Sequence, residues 1–179
     1  AFAMPYQRND LDRFLRRHAD HPRLRVEPHC TTRAGRENLR LRAGCVEGDP
    51  VRRVLLTCRH HCCEMMASDV LVGLLVTVLL ADGPGAWLAE HVEFLVLPLV
   101  DLDGVENGDQ GKGRAPHDHN RDYGETSIYP SVRALKDFVP GWAGDRLVAA
   151  LDLHCPWIRG PRNETIYLVG QPRPEVWAQ

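Results

Sequence analysis

Three short apolar runs constrain the fold more than any other feature: "VRRVLLT" (Val51–Thr57), "VEFLVLPLV" (Val92–Val100) and "LVAALDLH" (Leu147–His154). Each is dense in Val and Leu, as a strand covered on both faces must be. Helix-length segments separate them, Glu64–Leu80 and Tyr129–Phe138, the first stopped by "ADGPG". This alternation predicts an α/β fold with a mixed, mainly parallel central sheet flanked by helices. Two alternating segments, Leu24–Pro28 and Asn38–Ala43, flank the turn-like "TTRAGRE" and predict an antiparallel pair. A helix is expected from Asn9 or Asp10, either serving as N-cap, with Leu11, Phe14, Leu15 and His18 at helical spacing. Residues 101–125 read as one long polar loop, and "ETIYLVG" (Glu164–Gly170) as a further strand. A length of 179 residues fits one domain, 1–179.

In open α/β sheets, ligands bind beyond the carboxyl ends of the strands. Polar clusters directly follow Thr57, Val100 and Leu153, so three candidate site segments converge on one sheet edge. Composition narrows what they can bind. A net charge of -2 with interspersed signs gives neither a nucleic-acid footprint nor a polybasic membrane patch. The most apolar stretch, Val70–Leu80, is shorter than the roughly 20 residues of a membrane span. The N-terminal residues lack the order of a secretory signal, so six cysteines predict a reducing, cytoplasmic setting.

The first cluster, "TCRHHCCEMMAS" (Thr57–Ser68), offers two metal chemistries. A thiolate site could draw on Cys58, Cys62, Cys63 and distant Cys155, but only Cys58 and Cys62 have paired-ligand spacing. Alternatively, His61 and Glu64 sit three residues apart at a strand-to-helix junction, where both can face one point. Catalytic zinc commonly takes two histidines and one glutamate, leaving a place for water. His154, at the end of the third run, is the available third ligand. In "HDHNRDY" (His117–Tyr123), the Asn120–Arg121 pair offers an amide and a guanidinium fork suited to a carboxylate. Asp118 could orient a ligating histidine through its second nitrogen. His60 is read as structural, and His117 and His119 as loop hydrogen-bonders.

Taken together, "RHHCCE", "LDGVENGD", "HDHNRDY" and "LDLHCP" resemble the zinc carboxypeptidase (funnelin) family, and most of all its cytosolic carboxypeptidase-like branch. Members of that branch show R-x-H-P-G-E, N-P-D-G-V, D-L-N-R and D-L-H in this order. "MPYQRNDLDRFL" also resembles the P-Y-[ST]-Y segment that precedes a helix there, so the match runs from about Pro5 to His154. The resemblance implies one Zn²⁺ per chain, held by His61, Glu64 and His154. It implies substrate contacts from Arg59, Asn120 and Arg121, with Asp118 behind a ligand. It leaves the oxyanion-supporting cation ambiguous between Arg114, taken as a substrate contact, and Lys112. The implied activity is hydrolysis of C-terminal amino acids from peptides or proteins.

The sequence departs from the pattern in several places. Cys62–Cys63 replaces Pro-Gly, His119 replaces Leu, and "DLDGV" stands for N-P-D-G-V. No glutamate after His154 has the context of the family's general base, Glu164 and Glu175 being the only acids there. The expectation is therefore a C-terminally truncated domain whose base lies on other sequence. Two alternatives share the metal motifs: an aspartoacylase- or succinylglutamate-desuccinylase-like zinc amidohydrolase, and an inactive zinc-binding fragment. The calcium-loop reading of "DLDGVENGDQGK" fails, because positions six and twelve hold Glu106 and Lys112. No G-x-S-x-G elbow or phosphate-binding glycine loop appears.

Overall fold

The computed structural model describes residues 4–155 and 165–170. Its centre is a five-stranded sheet of order β1-β2-β4-β3-β5, formed by β1 (Leu24–Thr31), β2 (Glu37–Gly44), β3 (Arg52–Cys58), β4 (Val92–Leu97) and β5 (Leu147–Leu153). β1 pairs antiparallel with β2, and β2 antiparallel with β4. β4, β3 and β5 run parallel, so the sheet is mixed, as expected, with its parallel part on the β5 side. Pro28 breaks no central ladder because β1 is an edge strand, and a bulge follows it between Pro28 and Cys30.

β4 is buried along its whole length, which explains its unbroken apolar run. One charge sits inside it. Glu93 is 1% exposed, and it accepts from Arg42 Nε at 2.5 Å and from Arg53 Nε at 2.9 Å. These arginines lie on β2 and β3, the two neighbours of β4, so the ion triad spans three central strands. The main apolar core lies where Leu41, Ala43, Leu56, Phe94 and Val96 of the sheet meet Leu71, Leu75, Val78 and Leu79 of α2 (Met66–Leu80).

α1 (Arg8–Arg17) starts earlier than the sequence suggested. Its N-cap is Gln7, and Asp10 serves as the third helical residue, accepting from the Gln7 backbone N–H at 2.9 Å. That reciprocal contact is available to an acid three residues inside a helix, which is why Asp10 looked like a cap. "ADGPG" does end α2, at left-handed Ala81, and then opens α3 (Pro84–His91) with proline in its first turn. The polar loop likewise hides α4 (Leu102–Asn107), capped by Asp101, and a 3₁₀ turn at His119–Arg121. Short elements dense in Gly and Asp carry too little apolar periodicity to be read in advance. α5 (Pro130–Ala143) continues past Phe138 because Trp142 and Ala143 pack on Leu95.

Two expectations need correction. β5 is not a buried strand: Leu147 is 38%, Val148 57% and Leu151 43% exposed. It pairs only with β3 among the described residues, so its apolar composition reports a capacity for burial that this arrangement does not use. Thr165–Gly170 carries no strand, and Ile166 is 98% exposed; Glu164 and Glu175 lie outside the described residues. No single described helix is long and apolar enough to cross a membrane.

The Glu93 triad yields a stability prediction. Replacing Glu93 with Ala removes the shared buried carboxylate from Arg53 and from Arg42, which keeps Glu27 at 3.6 Å, and should cost about 3 kcal/mol. Urea unfolding of Glu93→Ala beside wild type measures it.

Candidate metal centre

The chain leaves β3 at Cys58 and turns at once. Arg59 has φ +66°, a left-handed conformation that is costly for a residue with a β-carbon. Its own buried side chain holds the turn. Nε donates to the Cys62 carbonyl at 2.8 Å, and Nη1 donates to the Tyr6 carbonyl and to Ser68 Oγ, each at 3.0 Å. Arg59 is 3% exposed. It is thus a brace joining the turn, the N-terminal segment and the start of α2, rather than the substrate contact expected of it.

The braced turn presents His61 and Glu64, with the Glu64 N–H donating to the His61 carbonyl at 3.1 Å. His61 Nδ1 lies 3.2 Å from Glu64 Oε1. The third group arrives by sheet register. Cys58 pairs with Leu153, so the residue after β5, His154, emerges beside the turn after β3. His154 Nδ1 is 2.5 Å from Glu64 Oε2, and the two imidazole centroids are 4.8 Å apart. One donor atom from each of His61, Glu64 and His154 lies within 4.8 Å of the others.

Both imidazoles turn Nδ1 inward and Nε2 toward a carboxylate. His61 Nε2 is 3.7 Å from Asp118 Oδ2, and His154 Nε2 is 2.6 Å from Asp152 Oδ2. A carboxylate behind a ligating histidine fixes its tautomer and orientation. Asp152 does more: its Oδ1 accepts from Thr57 Oγ1 at 2.9 Å and meets His60 Nδ1 at 2.7 Å. The buried His60 reaches the Tyr123 hydroxyl at 2.6 Å through Nε2. A second metal-capable trio, His60, Asp152 and His154, overlaps the first through His154. Sequence reasoning missed Asp152, Thr57 and Tyr123. The available signal was Asp152 two residues before His154, on the same side of an extended chain.

The substrate-side residues divide. Asp118 caps the 3₁₀ turn by accepting from the Asn120 N–H at 3.0 Å, and Asn120 Nδ2 lies 3.4 Å from His154 Nε2. Arg121 shares that turn and is exposed. Arg114 Nη2 lies 2.7 Å from Asp101 Oδ2, 3.0 Å from Asp109 Oδ2 and 3.7 Å from Cys62 Sγ, so it braces the loop against the ligand-bearing turn, and its described hydrogen bonds include none to His61, Glu64 or His154. Lys112 does reach it: Nζ is 2.6 Å from Glu64 Oε1. His117 hydrogen-bonds Asp122 at 2.6 Å, and buried His119 stacks on Tyr129 at 3.6 Å. Burial, then the charge of Arg114, pushes His119 down to about 3 and keeps it neutral. The thiol alternative finds no support among the described residues. No cysteine joins a metal-capable group, and burial pushes Cys58 and Cys62 each up to about 12.

Charge in the cluster is tightly paired. Burial disfavours protonation of His154, but its hydrogen bonds to Asp152 and Glu64 prevail and raise it to about 9. Burial likewise opposes ionisation of Glu64, and the His154 and Lys112 hydrogen bonds prevail, lowering it to about 2. A raised histidine stabilises fully below its ordinary 6.5 and loses that contribution as pH rises through about 9. A depressed carboxylate stabilises above its ordinary 4.5 and loses that contribution as pH falls through about 2. The stability difference between wild type and His154→Asn, in chelator-treated protein, should therefore be largest between pH 4.5 and 6.5 and shrink on both sides. Urea unfolding across pH 2–9 checks this.

No protein-family model and no curated protein matches the sequence. Solved structures do match the fold. A metallo-carboxypeptidase from Burkholderia cenocepacia superposes with a TM-score of 0.74 at 24% identity, covering 84% of this chain and 41% of that one. A metallo-carboxypeptidase from Pseudomonas aeruginosa, in complex with (2-guanidinoethylmercapto)succinic acid, gives 0.72 at 24% identity, covering 84% and 40%. A carboxypeptidase A from Helicoverpa armigera gives 0.66 at 16% identity, covering 86% and 46%. The fold is therefore that of the metallo-carboxypeptidases, and this chain spans less than half the length of each of these structures.

Proposed function

We propose that this chain belongs to a zinc-dependent metallocarboxypeptidase that removes C-terminal amino acids from peptides or proteins, and that it carries the metal-binding part of that enzyme. One observation carries the reading: His61, Glu64 and His154 converge, with a carboxylate behind each imidazole, on a fold shared with metallo-carboxypeptidases. The donor set fits zinc, since two imidazole nitrogens and one carboxylate are the ligands of many catalytic zinc sites. When bound there, zinc would act as a Lewis acid on a carbonyl oxygen and lower the pKa of a water.

The protein groups divide the remaining work. Asp152 holds the His154 tautomer through its 2.6 Å hydrogen bond, and Asp118 stands 3.7 Å behind His61. Asn120 and exposed Arg121, on the turn beside His154, are assigned the free carboxylate of the substrate, a guanidinium being suited to bidentate carboxylate binding. Gripping that terminus fixes which bond meets the metal. The carboxylates beside the described cluster are engaged as ligand or as histidine partners, so the proton of the attacking water is assigned to a base outside the described residues.

Metal analysis of purified protein should find about one zinc per chain, lost in His61→Ala and in His154→Ala. Zinc retained in both variants would overturn the site. Asp152→Asn should keep the metal but weaken its affinity roughly 10–100-fold, read by chelator competition. On substrates, an extended chain carrying the base should release C-terminal amino acids from peptides. Turnover of N-acyl amino acids alone would move the assignment to the amidohydrolases.

A further inference from the structure

The loop before the 3₁₀ turn is pinned directly over the metal-binding turn. Gly111, at φ +83°, approaches so closely that a β-carbon would stand 2.6 Å from Cys62 N and 3.2 Å from His61 Cα. Cys62 Sγ donates to the Asp109 carbonyl at 3.0 Å, and Asp109 N–H donates to the Gly104 carbonyl at 2.9 Å. Arg114 closes the far end through Asp101 and Asp109. Cys62 and Gly111 therefore seat the loop, and the next residue, Lys112, has its ammonium 2.6 Å from Glu64 Oε1.

That oxygen is the one that also faces His61 Nδ1, at 3.2 Å. The neighbouring arginines are committed elsewhere, Arg59 to carbonyls and Ser68, Arg114 to Asp101 and Asp109. Among the described contacts, Lys112 is the lysine or arginine that meets the ligand carboxylate, His154 being the ligand on its other oxygen. We propose that Lys112 is a tethered cation that competes with the metal ion for Glu64 and so lowers the affinity of the site. The inference rests on the metal site proposed above. A metal ion claiming Glu64 Oε1 must displace the ammonium from its hydrogen bond and tolerate a positive charge at its edge. The loop limits how far that charge can retreat, because Gly111 and Cys62 fix its base. The arrangement also gives a physical role to Cys62, which stands where the resembling sequences have proline.

The test is zinc affinity of the 179-residue chain, measured by competition with a chromophoric chelator. Lys112→Met should bind zinc about tenfold more tightly than wild type, the scale of one charge-assisted hydrogen bond. Lys112→Arg, which keeps the charge, should stay close to wild type. Raising the ionic strength should narrow the gap between Lys112→Met and wild type, because Lys112 is half-exposed and its charge is screened. The sign is decisive, since a lysine that merely supports the fold would on removal weaken binding. Equal or weaker binding by Lys112→Met, with an unchanged circular dichroism spectrum, overturns the inference. If zinc is lost in His61→Ala yet indifferent to Lys112, this inference alone fails. If zinc survives His61→Ala, the metal site itself fails and takes this inference with it.

Discussion

The parallel pairing of β3 with β5 is the constraint on which the centre depends. Thr57 lies opposite Asp152 and Cys58 opposite Leu153, so two chain segments more than ninety residues apart end side by side. The Thr57 hydroxyl clamps that register by donating to Asp152 across the pair. A slip of one residue would turn His154 to the opposite face and remove it from Glu64. Those few backbone hydrogen bonds bring His154 and Asp152 to the turn that carries His61 and Glu64.

Around that register the molecule arranges its charges in closed sets. Glu93 binds two arginines at the middle of the sheet, and Asp152 gathers His60, His154 and Thr57 at its edge. Arg59 spends its guanidinium on carbonyls and a hydroxyl to hold a left-handed turn. Glu93 and Arg59 are buried, and the cost of taking each from water is met by several partners rather than one. Two arginines that looked like substrate contacts are committed in this way. Lys112 and Arg121 retain the exposure that a ligand-facing cation needs.

The same economy explains why the loop at 101–125 was opaque to sequence reading. Its elements are short, and their stability comes from caps and contacts rather than from apolar periodicity: Asp101 on α4, Asp118 on the 3₁₀ turn, Asp122 receiving the Ile128 and Tyr129 N–H groups. Strands β3 and β4, by contrast, were legible because burial on both faces leaves an apolar run in the sequence. β5 shows the limit of that logic. Its residues have the composition of a buried strand, yet burial depends on what lies beside it, and here its outer edge is open among the described residues.

The sequence by itself determined the alternation of strands and helices, the placing of polar clusters at strand ends, and the ligand candidates His61, Glu64 and His154. These are local matters of hydrophobic period, spacing and side-chain chemistry. Tertiary structure decided which cations reach the centre and what orients its ligands. Arg59 turned inward because the backbone it braces is strained, and Arg114 turned away because Asp101 and Asp109 lie within its reach. Asp152 joined the centre because the β3–β5 register set it beside the turn that carries His60, and Tyr123 joined because the loop after the 3₁₀ turn brings its hydroxyl to His60. Such roles depend on distances between residues far apart in the chain, and no local pattern records those distances.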